Sequence, residues 1–453
     1  MLRVHARWVL PVVSAPIENG TVVVEGDRIA WVGRRVDAPA GDDLDVGNCL
    51  LLPGLVNSHT HLELTTLRGA IEDEEFANWI WSLISARRAV LTDEHLYGSA
   101  CRGIAEGLRA GVTTFADTCE SGVVLRAMGA MGARGIMYQE VFGPDPFQCA
   151  ASLVALRESV ARHRADETPL VRVGVSPHAP FSVSDDLFAV TCDWARAEGL
   201  PVAIHAAESE AETMLVREAR GPFAEALRAR GIAVVPRGHS TIEMLERVGA
   251  LVGETLLIHC VSVDAADIAT IARRGCAVAH CPASNAKLGH GVAPLGDLLA
   301  AGVDVGLGSD SVASSNRMDM LEEARLAVLV HRARAARASA LSAQTALELA
   351  TIRAARALRM DREIGSLEMG KGADLAAFSL SGPSGYSVID PVAAAIFSLT
   401  GRDADMVMVA GKLVVHDRLL VGRMDGWLAA AEAGERALAV WREKGAAGYH
   451  SSE

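Results

Sequence analysis

Eight short apolar runs alternate with helix-like stretches through the middle of the chain, and each closes on polar or ionisable side chains. The runs are CLLLPGLVNSH (49–59), GVTTFADT (111–118), GIMYQEVFG (135–143), LVRVGVSPH (170–178), PVAIHAAE (201–208), TLLIHC (255–260), CAVAHCP (276–282) and VDVGLGSDS (303–311). HLYGSACRGIAEGLRAG and VDAADIATIARRG exemplify the helical stretches between them. Continuous apolar strands separated by helices require a parallel sheet covered on both faces. Eight such units predict an α/β chain built as a closed (β/α)8 TIM barrel.

The ends have a different texture. ARWVLPVV and TVVVEGDRIAWVG, with a turn at Glu25-Gly26-Asp27, read as hairpin strands, as do ADLAAFSL (373–380) and ADMVMVAGKLVVHDRLL (404–420). They predict a small β-sandwich formed by both chain ends, 1–53 and 361–422, flanking a barrel over 54–360. WLAAAEAGERALAVWREK predicts an amphipathic helix within a C-terminal helix and tail, 423–453.

Composition excludes several classes. Net charge is −13 without a basic stripe, which argues against nucleic acid. No apolar run approaches the ~18 residues of a membrane span, and the N-terminal patch is broken by Pro11 and lacks a cleavage site, so no signal peptide is expected. Eight scattered cysteines, several in apolar runs (Cys49, Cys260, Cys276, Cys281), read as reduced thiols of a cytoplasmic protein.

The strand ends carry the chemistry: His59 and His61, Asp117, Glu140, His178, His205 and Glu208, His259, His280, and Asp310. In a barrel these ends form the active-site face. One such histidine is ordinarily structural; six around one rim indicate a metal site. Alternation in His59-Thr60-His61 puts both imidazoles on one side of a strand. With His205 and Asp310 they offer three nitrogens and one oxygen, a set suited to one Zn²⁺, with Fe²⁺ or Mn²⁺ as alternatives. The competing role for Asp310 is a helix N-cap. Lysine is scarce, and in the barrel region only Lys287 occurs. It follows the seventh strand, so a lysine-bridged metal pair is not expected. Glu208 lies three residues after His205, where a carboxylate can move a proton from water to a leaving nitrogen; otherwise it is one of several surface carboxylates. His259 orients the water or polarises the attacked group, or else is a buried histidine bonded to backbone.

PGLVNSHTHLE, GVTTFADT, SPHAPFSVS, AIHAAES, HCPASNAKLGHGVAPL, GLGSDSVASSN and EIGSLEMGKGADLAAF, in this order, resemble the amidohydrolase superfamily in its mononuclear deaminase branch. The resemblance spans nearly the whole chain. It implies His59, His61, His205 and Asp310 as metal ligands, Glu208 as proton shuttle, and His259 against the attacked centre. It also implies that Asp310 accepts a proton from the attacking water and that His178 contacts substrate. The implied reaction is hydroxide attack at C6 of a 6-aminopurine with release of ammonia. HAAESEAETMLVREARGPFAEAL, the long insertion after the fifth strand and FANWIWSLISARR look like aminodeoxyfutalosine deaminases of menaquinone synthesis, the first expectation for substrate. SNAKLGHGVAPL and SSNRMDMLEEARLA look more like S-adenosylhomocysteine/5′-methylthioadenosine deaminases, the alternative. In the homocysteine nucleoside enzymes a Glu after the first strand holds the ribose hydroxyls; Arg87 or Arg88 falls near that place here. An Arg fork suits the benzoate of aminodeoxyfutalosine, although both arginines could equally lie on a solvated helix face. Arg87, Arg88, Glu140 and His178 are therefore the expected substrate contacts. A chlorohydrolase, a guanine-type deaminase and a non-catalytic scaffold remain competing classes. A homodimer is compatible with the family.

Overall fold

The computed structural model describes residues 1–382, 388–422 and 425–449. All eight predicted runs contribute to the barrel. Its strands are Leu55–Thr60, Val112–Cys119, Arg134–Val141, Val171–Pro177, Val202–Ala206, Thr255–His259, Ala277–His280 and Val305–Leu307. They pair in parallel in strict sequence order. The first run is divided at Pro53-Gly54. Cys49–Pro53 joins the outer sheet, and Leu55–Thr60 enters the barrel. The long segment after the fifth strand folds into three short helices, Glu210–Glu218, Pro222–Ala229 and Thr241–Arg247.

Closure between the last and first strands depends on two glycines. A Cβ on Gly308 would lie 2.8 Å from His59 Cβ, and one on Gly306 only 2.2 Å from Ser58 Oγ. Their absence lets the GLGSD segment reach the HTH segment, where Asp310 N–H donates to His59 O at 3.0 Å. Asn57 stitches the seam from its side chain: Oδ1 accepts Ser309 N–H at 2.9 Å and Nδ2 donates to Ser309 Oγ at 2.7 Å. Toward the opposite end, Val56, Ile136, Tyr138, Leu256 and Ile258 pack with residues of the segment 354–364 in one apolar cluster. That end is filled, and the cavity opens at the C-terminal strand ends.

Among the described residues, strands from both chain ends form one nine-stranded sheet. Leu375–Ser379 lies antiparallel beside Cys49–Pro53, which brings the two ends together at its centre. The Glu25–Arg28 hairpin folds back onto the far end: Ala373 N–H donates to Asp27 O and Ile29 N–H to Lys371 O, both at 2.8 Å. Val4, Val22 and Val24 consequently share a core with Met406 and Met408. The C-terminal amphipathic helix is Asp425–Tyr449. It buries Ala431 and Leu438, and Arg102 of helix Asp93–Arg109 pairs with its Glu435. The tail, 450–453, lies outside the described residues. All eight cysteines are unpaired, and seven are buried. Among the described residues no helix is long and apolar enough to cross a membrane.

Candidate active site

Local geometry at the strand ends departs from regular β-structure where the polar side chains must turn inward. Ala207, His259 and Asp310 follow or end the fifth, sixth and eighth strands with φ of 51°, 74° and 57°. Positive φ is costly for residues with a Cβ, and such strain concentrates at functional sites. At the eighth strand Ser311 supplies the helix cap, accepting Ala313 N–H at 3.1 Å. The carboxylate of Asp310 is thereby left free to face the cavity.

Four side chains converge there. His61 Nε2 lies 3.3 Å from His205 Nε2. Asp310 Oδ1 lies 3.2 Å from His59 Nε2 and 3.6 Å from His61 Nε2. His59 Nε2 is fully buried and makes no aligned hydrogen bond. An unpaired buried nitrogen of this kind is costly unless a further partner meets it. The ligand atoms of His59, His61 and His205 lie within 4.8 Å of one another, as do those of His59, His259 and Asp310. Burial pushes the His59 imidazole down to about 4 and lowers His61 and His205 as well. These rings are neutral at physiological pH, the form that binds metal. Burial alone would raise Asp310, but His59, His259 and His61 hold it well below the usual carboxylate range.

Neighbouring groups fix how these donors point, as metal sites require. His178 O lies 3.2 Å from His205 Nδ1 and accepts its hydrogen, turning Nε2 to the cluster. Ser284 and Ser314 hydroxyls donate to Asp310 Oδ2 at 2.5 and 2.9 Å, leaving Oδ1 for the histidines. The donor set fits one divalent ion, with zinc, iron and manganese all compatible with its nitrogens and oxygen.

Beside the cluster lies a buried carboxylate, Glu208. Glu208 is only 5% exposed, so it is not a surface carboxylate. Its Oε1 sits 3.4 Å from His259 Nε2 and 3.5 Å from His290 Nε2. Burial opposes its charge, yet His259 and His290 keep its carboxyl below the ordinary value. His259 Nδ1 donates to Asn285 Oδ1 at 2.9 Å, so a side chain rather than backbone orients this ring. His290 and Asn285 escaped the sequence reading as site residues. Their signal was the HCPASNAKLGH segment after the seventh strand.

The remaining candidates have mixed fates. His178, Glu140, Arg87 and Arg88 all line the cavity of about 610 Å³ above the cluster. Burial holds the Glu140 carboxyl well above its usual range, with Glu63 and Glu120 adding to the effect. Burial pushes His178 down to about 3. Arg87 donates to Glu63 at 3.1 Å and to Glu120 at 2.5 Å, so its fork is already occupied by two carboxylates. His280 does not join the histidine cluster: its Nε2 meets His331 Nε2 at 3.3 Å. Asp117 is structural, accepting Leu62 N–H at 2.6 Å and the Thr60 hydroxyl at 2.7 Å. Phe76, Trp79, Leu83, Phe181 and Phe223 form an apolar wall above the polar floor.

The amidohydrolase family pattern matches residues 50–414. A 5-methylthioadenosine/S-adenosylhomocysteine deaminase of Syntrophobacter fumaroxidans is 34% identical over 413 residues, covering 89% of this chain and 90% of its own. A 5′-deoxyadenosine deaminase of Methanosarcina mazei is 31% identical, covering 89% and 90%. A zinc-bound adenosine deaminase structure from Xanthomonas campestris superposes with a TM-score of 0.86 at 28% identity, over 98% of each chain. The aminofutalosine deaminase of Helicobacter pylori shares the fold, with a TM-score of 0.79 at 20% identity over 92% of this chain and 100% of its own.

Proposed function

The chain belongs to the amidohydrolase family and is a hydrolase of carbon–nitrogen bonds, and from that premise we propose that it deaminates a 6-aminopurine nucleoside modified at its 5′ position. The observation that carries this reading is the placement of Glu208 against His259 and His290, beside the donor cluster. A group so placed can shuttle protons during attack on a carbon–nitrogen bond.

His59, His61, His205 and Asp310 would hold a zinc ion, which supplies the Lewis acidity that makes water a nucleophile near neutral pH. The chain's own groups account for the rest. Asp310 and Glu208 take protons from the attacking water. Its oxygen bonds to C6, and the C6–N1 π electrons move to N1, which receives a proton from Glu208. His259, held by Asn285, faces the tetrahedral carbon. As the C6–O double bond forms, the proton that Asp310 took from the hydroxyl passes to the amine, the C6–amine bond breaks and ammonia leaves.

The 5′ substituent would lie along the wall of Phe76, Trp79, Leu83, Phe181 and Phe223. An apolar wall favours a thioether or deoxy carbon over a charged group. We therefore place 5′-methylthioadenosine first, with S-adenosylhomocysteine beside it through the same thioether, its charged amino-acid end lying beyond the apolar wall. Aminodeoxyfutalosine is the second reading. Arg87 is committed to Glu63 and Glu120, so Arg88 and Arg230 at the cavity lining are the cations left for its benzoate. Ammonia release from the zinc-loaded protein, with 5′-methylthioadenosine, S-adenosylhomocysteine and aminodeoxyfutalosine at equal concentration, tests the assignment. Preference for either of the first two supports it. Preference for aminodeoxyfutalosine reverses the order, and activity on none overturns the proposal.

A further inference from the structure

Glu63 and Glu120 at the cavity lining pair with Arg87, whereas Glu140 is engaged neither by that arginine's hydrogen bonds nor by the proposed chemistry. Its side chain is 7% exposed, it lines the cavity, and its Oε1 makes no hydrogen bond. The facing atom is His178 Nε2 at 4.0 Å, too far for a direct bond.

The hydrogens on this pair can be assigned from their partners. Ser182 donates its hydroxyl hydrogen to Ala179 O at 3.1 Å. Its oxygen therefore accepts from His178 Nδ1 at 2.7 Å. With the ring hydrogen on Nδ1, Nε2 is an acceptor. The cavity thus presents an imidazole acceptor and a carboxyl oxygen side by side, separated by the width of a bridging polar group. Arg87 does not close this gap: its two terminal nitrogens donate to Glu120 and Glu63. Purine ring nitrogens are acceptors and leave His178 Nε2 unsatisfied. Two adjacent hydroxyls, each both donor and acceptor, satisfy both atoms. They do so whether the carboxyl accepts a hydrogen or donates its own to one hydroxyl.

Resting on the nucleoside deaminase reading above, we propose that Glu140 and His178 form the ribose subsite, gripping the 2′- and 3′-hydroxyls and so selecting ribonucleosides over deoxyribonucleosides.

The test compares 5′-methylthioadenosine with its 2′-deoxy, 3′-deoxy and 3-deaza analogues on the zinc-loaded wild type, Glu140→Gln and Glu140→Leu, with zinc content and melting temperature of each. Loss of one buried hydroxyl contact is expected to lower wild-type kcat/KM about 10- to 100-fold on at least one deoxy analogue. Glu140→Leu should lower activity on the ribonucleoside by a similar factor while barely changing that on the analogue lacking the contacted hydroxyl. Glu140→Gln, which keeps an acceptor, should restore part of the preference. Equal wild-type rates on ribo and deoxy compounds overturn the proposal. So does an equal loss across all compounds in both variants, or a Glu140 effect that vanishes only with the 3-deaza compound. Absence of ammonia from every compound with wild type instead overturns the deaminase reading itself.

Discussion

Glu212 offers a test of how the turn carrying Glu208 is held. It is completely buried in the first turn of helix Glu210–Glu218. Its Oε1 accepts Ala207 N–H at 2.7 Å and the Thr241 hydroxyl at 2.5 Å, while Oε2 has no partner. Ala207 is the left-handed residue immediately before Glu208. Burial, opposed by the Thr241 hydrogen bond, pushes the Glu212 carboxyl from 4.5 to about 7. The folded chain therefore keeps a proton that the unfolded chain releases between these pH values. The stability contribution is fully present below about pH 4.5 and is lost as pH rises through 7. That gap is worth about 3 kcal/mol. Glu212→Gln keeps an acceptor and removes the titration. Its unfolding free energy, measured against wild type by denaturant titration from pH 4.5 to 8.5, should gain about 3 kcal/mol on wild type across the window, then level off. A difference independent of pH would refute a buried, proton-holding Glu212.

Other perturbations separate the roles within the site. Asp310→Asn should lower bound zinc by at least tenfold by elemental analysis and abolish ammonia release, because the neutral amide replaces the anionic ligand. Glu208→Gln should retain zinc yet reduce kcat about 10²- to 10⁴-fold, the usual worth of a proton shuttle. Asn285→Leu should leave zinc content unchanged and lower kcat about 10- to 100-fold more than it raises KM, since His259 loses its orienting acceptor. Chelation of the wild type should lower its melting temperature, with recovery on adding zinc, because metal that binds only the folded state stabilises it.

The barrel was legible because its strands are buried on both faces and announce themselves as continuous apolar runs. The converging donor cluster was legible because its residues occupy the ends of those runs, and a two-residue spacing places His59 and His61 together. Sequence could not distinguish a strand-end histidine that enters the cavity from one that meets a helix. His280 was grouped with the ring, but His331, 51 residues further on, captures its Nε2. Asp310 and Ser311 are adjacent potential caps, and only the path of the backbone assigns the cap to Ser311. Arg87 read as free because Glu63 and Glu120 approach it from other segments. His290 and Asn285 reach Glu208 and His259 through loop folding after the seventh strand, which carries no periodic signal.

The most direct test of the central claim is a single turnover experiment in ¹⁸O-water with the zinc-loaded protein and 5′-methylthioadenosine, following ammonia and the mass of the purine product. Water attack at C6 predicts one ammonia per nucleoside consumed and one ¹⁸O retained on the purine base. A product that keeps its amine, or one whose base carries no solvent oxygen, would contradict hydrolytic deamination at this site.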